Sequence, residues 1–523
     1  MKKTSILMAA ALVLAGCTSG PTPEPPRGDT VRLDAGELKG TVTDTLRSFQ
    51  GIPYAAPPVG DQRWQAPGPA EPWEGTRDAT KPGNLCPQEA TDYADIASTS
   101  EDCLVLNVTT SRTGAGKPVI VWIHGDGVVG GGSIFDPTAL VEAGDAVVVT
   151  INYRLGVFGA FGYPGLEDSG TFGLQDQQAA LRWVRENIDS FGGDSGNVTV
   201  MGESYGAQSI TAHLIAPESE GLFDRAIVQS PMTLMDMPAG ALLPDLPASR
   251  WFAWRDVAEV EGLGTAMAPQ VGCTDPATAL DCLRALPVEQ LFPLMRAFQP
   301  AAYGGPVLPT APDVAYAEGD FHRVPVLVGT TRDEHRGFVG LFYDLAGTPV
   351  TAEQYPVLLA NAFGDKADEV AARYPLSGYP SPSTAWADVL TDRMWATAAT
   401  TLTDQLAAHT AVYRYEFADR DAPAYLPFPE TFPPGAFHAS EVPYLFRDQE
   451  FLDTAVPAQE KLSDTMVRYW TNFADSGDPN DEELPVWPGY SPAGHLQSLA
   501  PDSVRDIDSD EYAARHYLSL WMD

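Results

Sequence analysis

The chain has 523 residues, 44% of them hydrophobic, and its 70 acidic and 32 basic side chains give a formal net charge of −38. This charge excludes a general affinity for nucleic acid and argues against attachment to anionic membranes through the protein surface. The length allows a large core, although length alone would suggest several domains. The excess of acidic residues is typical of a soluble protein or of adaptation to salt. The alternative is that the negative charge steers cationic or neutral substrates toward the protein.

The N-terminus predicts an export signal followed by a tether. After a positively charged start, residues 6–14 form an apolar stretch too short to span a membrane, and a Leu-Ala-Gly-Cys sequence ends at Cys17. We expect a lipoprotein signal peptide at 1–16, lipid on Cys17 and a proline-rich tether at 17–30. The predicted location is the bacterial cell envelope, attached only through lipid. A plain signal peptide and secretion are the alternative.

Export would place the remaining cysteines in an oxidising compartment. Cys86, Cys103, Cys273 and Cys282 are an even number that can pair completely, with three possible connectivities, and their spacing favours two local loops. No cluster in the sequence has the Cys/His spacing of a metal site. We therefore expect disulfides and no metal.

A glycine-rich loop, residues 124–132, follows an early apolar strand at 119–123. Backbone N–H groups in such a loop can hold the negative oxygen of a tetrahedral intermediate, and Asp126 and Gly127 are the candidate donors. A flexible loop or a phosphate cradle are the alternatives. No Lys-Ser/Thr pair follows the glycines, which disfavours a Walker-type loop.

The pentapeptide Gly202-Glu203-Ser204-Tyr205-Gly206 lies between a predicted strand at 197–201 and a predicted helix at 207–215. A strand, a sharp turn with serine at its apex and a helix form a nucleophile elbow, in which the glycines allow strand and helix to approach closely. The Tyr205 amide would be a further oxyanion donor. The pattern also arises by chance, so it requires a base and an acid elsewhere.

Both partners are predicted further along the chain, in the order Ser, acid, His that is usual for this elbow. A buried strand at 324–329 runs into Asp333 and Glu334, which supply an acid at the strand's end. A second strand at 411–417 leads through a proline-rich loop to His438, the leading candidate base.

The other seven histidines have simpler interpretations. His335 is the nearest rival, but it adjoins the proposed acid, and His124 belongs to the glycine-rich loop. Packing or solvent contact suffices for the rest: His213, His322, His409, His495 and His516.

Together these motifs resemble the type-B carboxylesterases, the family that includes cholinesterases and bacterial p-nitrobenzyl esterases. The resemblance covers nearly all of the chain beyond the tether. It implies one α/β-hydrolase domain at 31–523, with a large, mostly parallel central sheet flanked by helices and with insertions around an active-site gorge. The matching segments are residues 49–55, 63–64, 101–108, 152–156, 173–177, 187–188, 191–194, 202–206, 229–230, 333–334, 435–438 and 470–480.

The resemblance also implies roles for particular residues. The catalytic triad would be Ser204, Glu334 and His438, and the oxyanion donors would be the backbone amides of Asp126, Gly127 and Tyr205. Glu203 would line the site beside the nucleophile, and Ser230 would support the histidine indirectly. The implied disulfides are Cys86–Cys103 and Cys273–Cys282, and the implied structural ion pairs are Arg63–Glu101 and Arg154–Asp176.

Three residues depart from the family pattern. Asp126 stands where glycine is usual in the oxyanion loop, and its carboxylate must point away from the oxyanion if activity is not to suffer. Tyr205 stands where alanine is usual, and its ring would narrow the acyl pocket. His335 stands where glycine usually follows the acid.

The predicted reaction is acyl transfer through a covalent serine ester of a neutral aryl or alkyl substrate, and it requires no metal or organic cofactor. Carbamate or amide hydrolysis on the same fold and a surface-adhesion protein without catalysis are the alternatives. Cholinesterase activity is disfavoured because Tyr93 is the only aromatic residue between Cys86 and Cys103. Six aromatic residues would line a gorge or belong to the core: Trp251, Phe252, Trp254, Phe292, Phe298 and Phe338.

Overall fold

A computed structural model describes residues 28–91, 94–250, 253–424, 426–492 and 494–522. The predicted signal peptide at 1–16 and the predicted lipidation site Cys17 lie outside the described residues. Of the predicted tether only residues 28–30 are described, and the first strand begins at Thr30.

The strands are β1 Thr30–Leu33, β2 Gly36–Lys39, β3 Thr41–Val42, β4 Leu46–Pro53, β5 Thr76–Asp78, β6 Val105–Ser111, β7 Lys117–Ile123, β8 Val147–Ile151, β9 Gly193–Glu203, β10 Arg225–Gln229, β11 Trp254–Asp256, β12 Ala301–Tyr303, β13 Val326–Thr331, β14 Val412–Phe417, β15 His495–Leu499 and β16 Arg505–Asp508.

The helices are α1 Thr138–Gly144, α2 Gly156–Ala160, α3 Phe172–Asn187, α4 Tyr205–Ile215, α5 Val257–Met267, α6 Ala279–Ala285, α7 Val288–Leu291, α8 Pro312–Glu318, α9 Arg336–Val339, α10 Tyr355–Phe363, α11 Ala367–Arg373, α12 Pro382–Leu390, α13 Thr397–Ala407, α14 Val442–Phe446, α15 Gln449–Thr454, α16 Pro457–Ser476, α17 Ser509–Arg515 and α18 Leu518–Trp521. A π-helix, Thr391–Ala396, joins α12 to α13.

The described residues form a central sheet of 11 strands in the order β16-β15-β14-β13-β10-β9-β7-β8-β6-β4-β3. The pairings from β15 to β8 are parallel, whereas β16 at one end and β6, β4 and β3 at the other are antiparallel. The predicted mostly parallel sheet flanked by helices is therefore confirmed. Parallel strands bring the loops that follow them to one edge of the sheet, where the candidate site residues lie.

The sheet is buried on both faces. Successive side chains along β7 point alternately to its two faces, and each set packs in a different hydrophobic core. Val119, Val121 and Ile123 belong to one hydrophobic core together with residues of α3 and α4. Ile120 and Trp122 point to the opposite face, where they join a core that includes residues of α16. A strand covered on both faces must be apolar at every position, so it reads as a continuous hydrophobic run.

The implied covalent and ionic links are present in the structure. Disulfides join Cys86 to Cys103 and Cys273 to Cys282. Arg63 and Glu101 form an ion pair at 2.6 Å, and Arg154 and Asp176 form one at 2.7 Å with both side chains buried. The two implied pairings and both ion pairs are therefore confirmed.

Within the described ranges, no helix is both long and apolar enough to cross a membrane. The same part of the chain contains no group of three or more His, Cys, Asp or Glu side chains arranged to hold a metal ion.

Candidate active site

Ser204 occupies the sharp turn between β9 and α4. Its backbone has φ 57° and ψ −119°, a conformation that costs energy for any residue except glycine. Its N–H donates to the carbonyl of Gln229 on the neighbouring strand at 2.9 Å. A side chain at Gly202 or Gly206 would collide with the carbonyl oxygen of Ile123, so both positions require glycine. The turn therefore packs tightly against β7 and holds the serine at the end of the sheet.

His438 and Glu334 contact each other directly. Glu334 lies in the loop after β13, and His438 lies in the loop after the neighbouring strand β14. Nδ1 of His438 lies 2.6 Å from Oε2 of Glu334. The other carboxylate oxygen of Glu334 accepts from the Ser230 hydroxyl at 2.6 Å and from the Thr331 N–H at 2.8 Å. Glu334 is fully buried, and these two hydrogen bonds hold its carboxylate in a position to accept from the imidazole. Ser230 thus touches the acid and reaches the histidine only through it.

Asp333, the neighbouring carboxylate, has a different set of partners. Arg420 binds it with two hydrogen bonds of 2.9 and 3.0 Å, and the Ala436 N–H donates to it at 2.9 Å. The backbone N–H of Asp333 in turn donates to the Ala436 carbonyl at 2.8 Å. Asp333 therefore ties the loop that carries the acid to the loop that carries His438, and Glu334 alone of the two carboxylates contacts the imidazole.

The second ring nitrogen of His438 faces Glu203. Nε2 lies 3.1 Å from Oε1 of Glu203, which immediately precedes Ser204, and both side chains are almost completely buried. Among the described residues no hydrogen bond joins Ser204 Oγ to Nε2, and Nε2 has no hydrogen-bond partner of suitable geometry. In sites with such a pair, the hydrogen bond from the hydroxyl to the imidazole often forms only when substrate is bound.

The pKa values of these groups are linked through their charges. Burial raises the pKa of Glu203 to about 8, and the proximity of His438 opposes this shift. Burial lowers the pKa of His438, but the carboxylates of Glu203 and Glu334 outweigh it and raise the pKa to about 9. An ionised Glu203 thus favours the imidazolium, whereas a protonated Glu203 favours the neutral imidazole that a general base requires.

The predicted oxyanion loop lies beside the nucleophile. A Cβ added to Gly125 would lie 2.9 Å from Oε2 of Glu203 and 3.2 Å from Cβ of Ser204. The Tyr205 N–H is the first amide of α4 and has no carbonyl from a preceding helical turn. The Gly127 N–H donates to the Gly125 carbonyl at 2.9 Å, so it must exchange this partner to bind an oxyanion. Within the described residues, the Asp126 N–H has no acceptor.

Asp126 has φ 64°, a left-handed conformation that Asp tolerates better than most residues. Its Oδ1 accepts from the Val128 and Val129 N–H groups at 3.0 and 3.2 Å. Burial raises its pKa, and Arg296 opposes that shift. The carboxylate is therefore engaged by its own loop, in agreement with the expectation that it turns away from the oxyanion.

Tyr205 packs against the oxyanion loop. A Cβ on Gly127, whose φ is 81°, would lie 2.8 Å from Cγ of the Tyr205 ring, so only glycine allows this contact. The residue is partly buried, and desolvation raises the pKa of its hydroxyl. The ring therefore lies directly beside the proposed donors, as its position after Ser204 suggested.

Sequence reasoning missed two residues of the site, Glu441 and Trp395. Glu441 is fully buried, accepts from Gln229 Nε2 at 3.2 Å, and has a pKa raised by burial to about 7. The ring of Trp395 lies 4.8 Å from that of His438. Glu441 gives a weak local signal, a carboxylate three residues after the histidine, but nothing near Trp395 in the sequence connects it to His438.

The other histidines have partners away from Ser204. His213 contacts Gln177 and Ser219, and His516 lies between two carboxylates. His335, the nearest rival, contacts Ala241 and Trp395, and burial lowers its pKa to about 4. Among the described residues, His438 is therefore the one histidine that contacts a buried Glu beside the elbow.

The aromatic residues considered for a gorge divide into several groups. Trp254 and Phe298 are buried in hydrophobic cores, and Phe292 packs against one of them. Of the four that the structure describes, Phe338 alone lies at the site, with its ring 4.9 Å from that of His438. Three aromatic residues named above lie outside the described residues: Tyr93, Trp251 and Phe252.

Comparisons with known proteins identify the family of the chain. Residues 27–511 match the model of the carboxylesterase family. The para-nitrobenzyl esterase of Bacillus subtilis (strain 168) is 34% identical over 495 residues, which cover 92% of this chain and 96% of that protein. The human cocaine esterase is 33% identical over 85% of this chain and 81% of its own length.

Solved structures give the same result. A structure of a thermophilic PNB esterase superposes with a TM-score of 0.76 and 30% identity, and the match covers 94% of this chain and 100% of that one. A second PNB esterase structure has a TM-score of 0.75 and 31% identity. The resemblance stated from the sequence is therefore confirmed. This chain belongs to the carboxylesterase family, has the α/β-hydrolase fold and is a carboxylesterase.

Proposed function

We propose that the chain hydrolyses neutral aryl or alkyl esters through Ser204, His438 and Glu334 and a covalent acyl-enzyme. The observation that carries the proposal is the buried pair of Glu334 and His438, 2.6 Å apart, beside a serine held in a strained turn. A serine hydroxyl is a weak nucleophile at neutral pH, and this arrangement supplies the base and the group that orients it.

In the first half of the reaction, neutral His438 accepts the Ser204 proton on Nε2 while Oγ bonds to the ester carbonyl carbon. The carbonyl π electrons move to oxygen, and the proposed donors to that oxyanion are the amides of Asp126 and Tyr205, neither of which donates to a backbone carbonyl of the described residues. Gly127 joins them when it releases the Gly125 carbonyl. The tetrahedral intermediate then collapses, and the alcohol leaves with the proton from the imidazolium. Glu334 stabilises that imidazolium through its contact with Nδ1.

In the second half, water gives a proton to His438 and attacks the acyl carbon. Collapse of the second intermediate breaks the bond to Oγ, returns the proton to Ser204 and releases the carboxylic acid. Glu203 lies beside the same imidazole nitrogen, so we assign it an electrostatic role on His438, and we assign Ser230 the role of holding Glu334.

The surroundings of the site favour neutral over anionic substrates. The net charge of the whole chain is −38, which gives the protein a negative potential; the buried Glu203 and Glu441 at the site add to it only as pH rises above about 8 and about 7, the pKa values to which burial raises them. An anionic substrate would meet this negative potential on approach, and the carboxylate product would be repelled. Relatives named for different esters share the family, so the particular ester of this chain must be found by measurement.

The test is hydrolysis of p-nitrophenyl esters from acetate to decanoate, with Ser204→Ala as the matched variant. We expect turnover by the wild type, a loss of at least about a thousandfold in Ser204→Ala, and covalent labelling by a fluorophosphonate at Ser204 only. Turnover that survives in Ser204→Ala would contradict the assigned nucleophile. A folded wild type that hydrolyses no ester and resists the fluorophosphonate would favour a binding role.

We also propose export with lipid on Cys17, on the basis of the sequence that ends there. The disulfides Cys86–Cys103 and Cys273–Cys282 support an oxidising compartment. Expression of the full chain in a bacterium, followed by mass analysis of the N-terminal peptide, tests this proposal. A diacylglyceryl mass on Cys17 supports it, and an unmodified peptide that begins elsewhere contradicts it.

A further inference from the structure

His335, the residue that departs from the family pattern after Glu334, is buried and has a partner at each ring nitrogen. Its Nδ1 accepts from the indole N–H of Trp395 at 3.1 Å, and its Nε2 lies 2.9 Å from the carbonyl oxygen of Ala241. One acceptor and one donor are the two roles of a neutral imidazole, so Nε2 carries the proton and donates to Ala241. The lowered pKa of His335, caused by burial, agrees with the neutral form.

The backbone ties His335 to the same π-helix that carries Trp395. The His335 N–H donates to the hydroxyl of Thr391, the first residue of that π-helix, at 3.0 Å. This bond does not depend on the side chain at position 335. A variant at this position therefore keeps the backbone link and loses only what the imidazole supplies.

The imidazole of His335 also stacks on a ring that faces His438. Its ring is 5.1 Å from that of Phe338, with 29° between the planes. Phe338 and Trp395 are 5.8 Å apart, and their rings lie 4.9 and 4.8 Å from that of His438. Phe338 is the partly exposed member, whereas Trp395 is buried. We call Phe338 and Trp395 the aromatic wall.

We infer that His335 is a positioning residue that fixes the aromatic wall beside His438, and that this wall selects esters with an aromatic group next to the reacting carbonyl. The inference rests on the proposed esterase function and adds a substrate class to it. His335 touches neither Ser204 nor a substrate in this role, since it acts through Trp395 and Phe338.

An indole has one polar group, its N–H, which needs a hydrogen-bond acceptor when the ring is buried. Without the acceptor on His335, the Trp395 N–H would be buried and unpaired, and the ring would gain by rotating to find another partner. A rotated Trp395 would leave Phe338 supported on one side only. A flat substrate group depends on the offset or edge contacts of both rings, whereas a methyl group does not.

The experiment uses the full chain and two pairs of substrates. p-Nitrophenyl benzoate and acetate differ only in the acyl group, and benzyl and ethyl acetate differ only in the alcohol, so one pair reports on each side of the carbonyl. The variants are His335→Phe, which keeps a ring without hydrogen bonds, and Trp395→Phe, which keeps a ring without the donor. The double variant and His335→Gln, which restores an acceptor and a donor, complete the set.

We expect each single variant to lower the aromatic-to-aliphatic ratio of kcat/KM about fivefold in at least one substrate pair. The double variant should show about the same fivefold change, because both substitutions remove one hydrogen bond. His335→Gln should retain at least about half of the wild-type ratio. A role in stability alone would lower the unfolding midpoint and leave the ratio unchanged.

Two results would overturn the inference. One is an unchanged aromatic-to-aliphatic ratio of kcat/KM in both single variants, when Ser204 of each variant still reacts with a fluorophosphonate. The other is a double variant whose changes multiply to about 25-fold, because the two residues would then act independently. Wild-type turnover that persists in Ser204→Ala refutes the proposed function instead. If the wild type hydrolyses none of these esters, the thermal shifts caused by phenylboronic acid and by methylboronic acid are measured in the wild type and the same variants. An equal difference between the two shifts in all of these proteins also overturns the inference.

Discussion

Oε1 of Glu203 lies 3.1 Å from Nε2 of His438, while Glu334 holds the opposite ring nitrogen at 2.6 Å. The imidazole is therefore held between two buried carboxylates, one directly before the proposed nucleophile and one on the loop after β13. Each carboxylate favours the protonated ring, so the protonation state of Glu203 sets the pH at which His438 becomes a base.

Replacing Glu203 by Gln is expected to move the acid limb of the pH-rate profile to lower pH. The substitution removes a negative charge beside His438, so the imidazolium is less favoured and the pKa of His438, about 9 in the wild type, falls. We expect a shift of about one pH unit in kcat/KM for p-nitrophenyl acetate between pH 5 and 10. Glu441→Gln is the matched control and should give a smaller shift of the same sign. A shift to higher pH would contradict the assignment.

Replacing Asp126 by Gly should lower turnover, although glycine is the usual family residue at this position. The substitution suits the left-handed backbone but removes the acceptor of the Val128 and Val129 N–H groups, which hold the oxyanion loop. We expect a fall of about tenfold in kcat. Asp126→Asn keeps one acceptor and should remain within about threefold of the wild type. A rise of about a hundredfold in either variant would mean that the carboxylate repels the oxyanion.

Asp333→Asn should reduce kcat more than it changes KM. The carboxylate links the acid loop to the Ala436 N–H, two residues before His438, and its charge holds Arg420. With the ion pair weakened, the imidazole is placed less accurately against Ser204, and we expect a fall of about tenfold in kcat. Steady-state kinetics with a p-nitrophenyl ester measure this. Arg420→Gln should cause a smaller loss of the same kind, and a lower unfolding midpoint with unchanged kcat in both variants would refute the positioning role.

His516 is expected to stabilise the fold below neutral pH and to lose this effect as pH rises. It lies 2.6 Å from Asp392 and 2.6 Å from Glu416, with Arg515 on the other oxygen of Glu416 and the Tyr512 ring 4.6 Å away. Burial lowers the pKa of His516, but the electrostatic effects of Tyr512 and Asp392 outweigh it, and the net shift is upward. The folded-state pKa thus exceeds that of the unfolded chain, so the stabilisation is complete below about pH 6.5 and disappears as pH rises through the folded value.

Urea unfolding of the wild type and of His516→Gln at pH values from 5.5 to 9.5 checks this prediction. The wild type should be more stable by about 3 kcal/mol at low pH, and the difference should shrink toward high pH. A difference that grows with pH would contradict the sign. His516→Arg keeps a cation between the carboxylates at every pH in this range, so its stability relative to His516→Gln should be nearly independent of pH.

The sequence alone determined those features of this protein whose physical cause is local. The turn at Ser204 needs glycines on both sides, and an apolar run such as β7 is typical of a strand covered on both faces, so the elbow and the parallel sheet could be predicted from the order of residues. The histidine could also be predicted from the sequence, because the loop with His438 follows a strand in the order that the elbow requires.

The tertiary structure decided what adjacent residues do. Asp333 and Glu334 are neighbours in sequence, and only the packing of the loop after β14 shows that one meets Arg420 and the other His438. Trp395 lies 43 residues before His438 in the printed sequence and still contacts its ring. Burial and contacts between distant segments arise only when the chain is folded. They decide which carboxylate is ionised, which amide is free and which ring covers the histidine.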